Sequence, residues 1–180
     1  SYLREIHGDY PGAIEAMKMA VDAGLPGDEA TEWSRVHLGH LYEITGDLKS
    51  AEMHYQIALQ RRPGYAYAIA GQGRIALAAK DYSKAIAYYL QADSLVIDHS
   101  FKEEMAEVYE LAGQEDKADS ILNWLVNTMS KDVESGEQDE TAGHYADKEL
   151  AYVYLKAGNY NKALEHALAE YNRRPDNIEV

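Results

Sequence analysis

The chain has 180 residues with 17 Lys and Arg against 31 Asp and Glu, a formal charge of −14, and no Cys. The missing Cys excludes disulfides, thiolate metal sites and Cys nucleophiles, and the acidic balance with no basic cluster longer than Arg61-Arg62 or Arg173-Arg174 argues against nucleic-acid binding. No stretch reaches the roughly 18 apolar residues of a membrane span, so no membrane insertion is expected, and cytoplasmic and periplasmic locations both stay open.

Composition also points to repetition. There are 15 Tyr beside one Phe and two Trp, a bias expected when one packing position is filled again and again by the same residue. In chain order, residues 1–10 read as the close of a helix and 11–23 as a second helix. The stretch 23–31, with Gly24, Pro26 and Gly27, reads as a lengthened turn. Paired amphipathic helices follow at 30–45/48–61, 65–79/82–95, 99–112/115–130 and 144–157/160–173. Between partners stand turn residues: Gly46-Asp47, Lys80-Asp81, Gly113-Gln114 and Gly158-Asn159. Pro63 and Pro175 close two of the pairs. Residues 131–143 form an acidic, weakly hydrophobic insertion, read as an exposed surface loop.

The pairs align on a small residue. Ala51, Ala85, Ala118 and Ala163 are the anchors, with Ala13 in a partial first unit, and the spacing from Ala51 to Ala85 is 34 residues and from Ala85 to Ala118 is 33. Nine places before each anchor stand Tyr42, Ala76, Tyr109 and Tyr154, and twelve before it the small Gly39, Gly73, Ala106 and Ala151. Small residues let paired helices approach, and the Tyr set is expected to fill the core between them. A hairpin of this kind leaves one apolar face open, so neighbours must stack to bury it.

Leu38-Gly39-x-x-Tyr42, Ala51-x-x-x-Tyr55 and Pro63 occur in this order and spacing, a pattern that resembles the tetratricopeptide repeat family. Later units keep Gly73, Ala85 and Tyr89, then Ala106 and Tyr109, then Leu150, Ala151, Tyr154, Ala163 and Pro175. Trp33 stands five residues before Leu38 and is not the family's Trp. Pentatricopeptide and Sel1-like repeats are the rivals; the acidic charge counts against the first and the 34-residue spacing against the second. The resemblance implies an all-α, right-handed α-solenoid (superhelix) of stacked antiparallel helix hairpins. A single array would span 1–180, with a partial repeat at about 1–29 and repeats at about 30–64, 65–98, 99–132 and 144–177, cut from a longer array.

Catalytic templates find little. Gly71-Gln72-Gly73-Arg74 lies within a helix pattern and lacks the third Gly and preceding strand of a phosphate loop. His37, His40 and Glu43 share a helix face, but no HExxH is present, and such a face is expected to be solvated rather than to hold metal. No cofactor and no catalytic residue is expected.

The resemblance implies instead a concave groove lined by the first helix of each pair, receiving a protein or peptide. The groove positions include Trp33, Val36, His37, His40 and Glu43, then Tyr67, Ala70, Gly71 and Arg74. They continue with Ser100, Glu103, Glu104, Glu107 and Glu110, and end with Tyr145, Lys148, Glu149 and Tyr152. Of these, Trp33, His37, His40, Tyr67, Arg74, Glu103, Glu107, Tyr145, Lys148 and Tyr152 are the binding candidates. A subclass of the family clamps a C-terminal carboxylate with Lys, Asn and Arg; Val36, His40, Gly71, Ser100 and Glu104 offer no such clamp. The expected partner carries an apolar or aromatic anchor and a basic segment. The expected function is a non-catalytic interaction scaffold. The alternative is a substrate-recruiting module of a larger enzyme, and a third reading is self-association through cut ends of the array.

Overall fold

In a computed structural model, residues 1–138 and 147–175 are described, with only the helical backbone described for 132–138. Among these the chain is helical throughout. It divides into two compact units, Ser1–Phe101 and Lys102–Val180.

The first unit holds α1 (Tyr2–Ile6), α2 (Tyr10–Ala23), α3 (Glu29–Ile44), α4 (Leu48–Arg61), α5 (Ala66–Ala78) and α6 (Tyr82–Asp93). Helix starts follow from the chemistry of the turns. Asp9, Asp28, Asp47 and Asp81 each accept a backbone N–H of the first turn they precede, Asp47 at 3.0 Å from Ser50 N. Gly46, at φ 86°, ends α3 in the left-handed region open to a residue without Cβ. The matching turn after α5 places Lys80 at φ 60°, the one described non-Gly residue with positive φ.

Packing follows the small-residue columns. Ala13, Met17 and Val21 of α2 meet Leu38 and Leu41 of α3. Val36, Ala51, Tyr55, Ala58, Tyr65 and Ala68 form the next cluster, joining α3, α4 and the start of α5. Helix α5 is enclosed on most sides: Ala66, Ala68, Ile69, Ala70, Gly71, Gln72, Gly73 and Ala76 are all buried. The Tyr55 ring is fully buried between Gly39 and Gly71, and Gly73 gives the same space to Tyr89. Gly71-Gln72-Gly73 is therefore a packing device.

Helix α7 (His99–Leu111) begins at the unit boundary, and α8 (Glu115–Gln138), α9 (Asp147–Lys156) and α10 (Tyr160–Arg173) complete the second unit. Here Ala106, Leu122, Leu125, Met129, Leu150 and Val153 form the core. α8 is longer than its periodicity predicts, because the backbone stays helical to Gln138 through the first part of the acidic segment. The remainder of that segment lies outside the described residues.

Each unit also buries charge. In the first, Glu32 is fully buried, sits 2.8 Å from Arg35 Nε and accepts the Gly27 N–H at 2.9 Å, which ties the Pro26-Gly27 turn to α3. In the second, Asp147 accepts from His166 at 2.8 Å and from Arg173, which also bonds buried Glu170. Tyr42 stacks on His54 at 5.5 Å, and the corresponding Tyr154 stacks on His166 at 5.4 Å.

Candidate functional site

The exposed stripe of α3 runs Trp33, His37, His40, residues one helical turn apart. Trp33 keeps 53% of its surface exposed although Leu38 and Leu41 of the same helix are buried. Its indole stacks on the His37 imidazole with centroids 5.4 Å apart and planes 2° from parallel. His37 Nε2 in turn lies 2.8 Å from Glu5 Oε1, and Ser1 Oγ donates to the same oxygen at 2.7 Å. Burial pushes the Glu5 carboxyl up, but the bonds from His37 and Ser1 outweigh it and hold the group below its ordinary value. Helix α1 thereby meets α3 through a pair 32 residues apart in the chain.

Three helices converge at the far end of the stripe. Glu43 of α3 accepts from the Tyr55 hydroxyl of α4 at 2.8 Å and from Arg74 Nε of α5 at 3.0 Å. Arg74 also donates to the Tyr55 hydroxyl at 3.2 Å and lies over the ring, 5.6 Å from its centroid. His40 Nδ1 stands 3.8 Å from Glu43. Burial favours the neutral Glu43 carboxyl, yet His40, Arg74 and Tyr55 together hold it below its ordinary value. Burial raises the Tyr55 phenol far above its ordinary value, so the hydroxyl stays a donor.

Tyr67 is half-buried on α5, edge-on to Tyr65 at 5.6 Å and tilted against Phe101 at 5.7 Å. Burial and then Asp98 raise its phenol above the ordinary value. Trp33, His37, His40, Tyr67 and Arg74 thus share the first unit, but Arg74 is committed to Glu43 and Tyr55 rather than open to solvent. Val36, Ala70 and Gly71, expected in the groove, are buried in the core, because α3 and α5 are flanked by packed helices on two sides and expose a narrower strip than periodicity predicts.

In the second unit Glu103 is half-buried and Glu107 exposed, one turn apart on α7. Lys148 is half-buried and Tyr152 is 50% exposed. They line an apolar hollow of about 350 Å³ on α9 and α10, with Ala151, Leu155, Ala163 and Ala167. Tyr145 lies outside the described residues. The expectation that the Tyr set is core holds for Tyr55 and Tyr89 but not for Tyr2, Tyr152, Tyr160 and Tyr171, each half or more exposed. Among the described residues no group of three or more His, Asp or Glu is placed to hold a metal ion, and no helix is long and apolar enough to cross a membrane.

A family model described as tetratricopeptide repeat matches residues 34–65, the span of most of α3, the Gly46 turn, α4 and the Pro63 loop. A solved tetratricopeptide-repeat protein of Thermus thermophilus matches 99% of this chain over 90% of its own, with a TM-score of 0.64 and 17% identity. Residues 34–65 carry a tetratricopeptide repeat, and the chain shares the fold of solved tetratricopeptide-repeat proteins. Cut9-Hcn1, a hetero-tetramer of the APC/C, matches 99% of this chain over 33% of its own, with a TM-score of 0.61 and 18% identity. YrrB, described as a repeat protein with an unusual peptide-binding site, matches 92% over 96%, with a TM-score of 0.52 and 19% identity. At these identities the likeness shows the α-solenoid fold of stacked helix hairpins and nothing finer. No curated protein matches this chain.

Proposed function

We propose that this repeat protein is a non-catalytic protein–protein interaction scaffold, and that the exposed stripe of α3 with Tyr67 of α5 receives a peptide or helix of its partner. The observation that carries the reading is the pre-set stripe Trp33–His37–His40. Its Trp33 and His37 rings are stacked on each other and held by Glu5, and His40 stands 3.8 Å from Glu43 at the other end. Binding surfaces favour such rigid aromatic anchors, because little side-chain freedom remains to be lost on association. By itself, the second unit presents Glu103 and Glu107 one turn apart on α7, an acidic pair suited to a basic segment.

The test is affinity capture from source lysate with the whole chain and with Trp33→Ala/His40→Ala, both checked for equal melting temperature. A partner that crosslinks to α3 or α5 in the parent chain and is lost in the variant supports the groove. A partner retained at equal affinity by the variant overturns it.

Self-association is a second reading, resting on the exposed Leu155, Tyr160, Leu164 and Leu168 around the α9–α10 hollow. Sedimentation as a monomer independent of concentration removes it, and a dimer dispersed by Leu164→Glu supports it.

A further inference from the structure

We propose that Trp33 is the platform for a cationic side chain of the partner, specifically a guanidinium laid on the indole that stacks on His37, the residue bonded to Glu5. The proposal rests on the groove reading above and names the chemistry that the groove selects.

An exposed Trp alone is ordinary. Trp33 differs in being fixed. It projects from the second turn of a helix whose buried side is locked by Leu38 and Leu41, and its ring lies within 2° of parallel to the His37 ring stacked on it. His37 is itself held by Glu5 at 2.8 Å. An indole in this position offers a flat, electron-rich surface at small entropic cost. Glu5, with its carboxyl held low by His37 and Ser1, stays ionised into the acid range. Glu29 stands one turn before Trp33 on the same helix, where it pairs with Arg62.

The protein's other tryptophan provides the comparison. Lys102 lies over the Trp124 ring, 5.0 Å from its centroid. Tyr55, Tyr65, Tyr88 and Tyr109 likewise carry an Arg or Lys of the chain. Among the described residues no such cation lies over Trp33, whose ring keeps half its surface open and stacks on the His37 that bonds Glu5. A partner therefore supplies it. Arg fits better than Lys, because its planar guanidinium stacks on the ring while its N–H groups reach a carboxylate. The chain's −14 charge further favours a cationic ligand over an anionic one.

The probes are two nonapeptide libraries, randomised except for a central Arg in one and a central citrulline in the other, which keeps shape and removes charge. Binding to the whole chain is read by surface capture at low and at high salt. The expected result is retention of the Arg library about tenfold above the citrulline library, the equivalent of about 1.4 kcal/mol. The preference should vanish in Trp33→Ala, survive in part in Trp33→Phe, and weaken in Glu5→Gln and at high salt. Equal retention of both libraries, retention of neither, or a preference that persists in Trp33→Ala overturns the proposal. The groove reading fails separately, through a lysate partner that the Trp33→Ala/His40→Ala variant keeps.

Discussion

Gly71 on α5 faces the ring of Tyr55 on α4 so closely that an added Cβ would sit 2.6 Å from Tyr55 Cδ1. Gly39, from the hairpin partner helix, approaches the same Cδ1–Cε1 edge equally closely, 2.6 Å from Cε1. The aromatic column of one repeat thus depends on a residue without side chain in its own hairpin and on another in the next.

Gly71→Ala should accordingly destabilise the chain by about 1–2 kcal/mol. Overpacking costs about 1–3 kcal/mol, and the better helix propensity of Ala returns part of that. The ring cannot slide away freely, since its hydroxyl is bonded to Glu43 and Arg74. Urea denaturation measures the change, and adding Tyr55→Leu should reduce the penalty of Gly71→Ala, since the two sites are in contact.

The Glu43 carboxyl gives the first unit an acid-sensitive joint. Its pKa is depressed in the folded state relative to the ordinary 4.5, so its contribution is fully present above that value and is lost as pH falls through the lower folded value. Thermal melts from neutral into acid pH should show a loss of stability on the acid side that Glu43→Gln diminishes, with the variant already less stable at neutral pH. An unchanged acid limb in the variant would show that Glu43 contributes none of it.

Glu32→Ala should be among the most damaging single changes. It leaves Arg35, only 5% exposed, without its 2.8 Å partner and releases the Gly27 N–H. Removing one member of a buried pair typically costs about 3–5 kcal/mol. The exposed Glu15–Lys18 pair has the same 2.8 Å separation, yet Glu15→Ala should change stability by less than about 1 kcal/mol. Denaturant midpoints of the two variants compare them directly.

Lys80→Gly should stabilise the chain. A left-handed backbone costs an L-residue roughly 1–2 kcal/mol, which Gly avoids at some loss of chain entropy. At φ 60° a net gain of about 0.5–1 kcal/mol is expected. A melting temperature that falls instead would mean the Lys80 side chain contributes more than its backbone costs.

Much of the fold is legible in the residues alone. The recurrence of Ala51, Ala85 and Ala163, the Gly or Lys followed by Asp or Asn at most turns, and the Leu38–Gly39–Tyr42 spacing determine helical hairpins and place their ends close to those observed. These signals are local: a cap, a turn or an apolar stripe involves residues within a few positions of one another, so composition and period suffice to state them. The candidate stripe Trp33, His37, His40 is legible for the same reason, being three positions on one helix face.

Only the tertiary structure decided which of those positions are open and what holds them. Glu5 meets His37 across 32 residues and Arg74 meets Glu43 across 31, distances over which no period links a pair. Arg74 is thereby withdrawn into the Glu43–Tyr55 cluster, Val36, Ala70 and Gly71 are enclosed, and Tyr152 and Tyr160 are left exposed. Periodicity says which side of a helix is apolar. How wide the covered strip becomes, and which charge finds which partner, depends on the neighbours that stacking brings alongside.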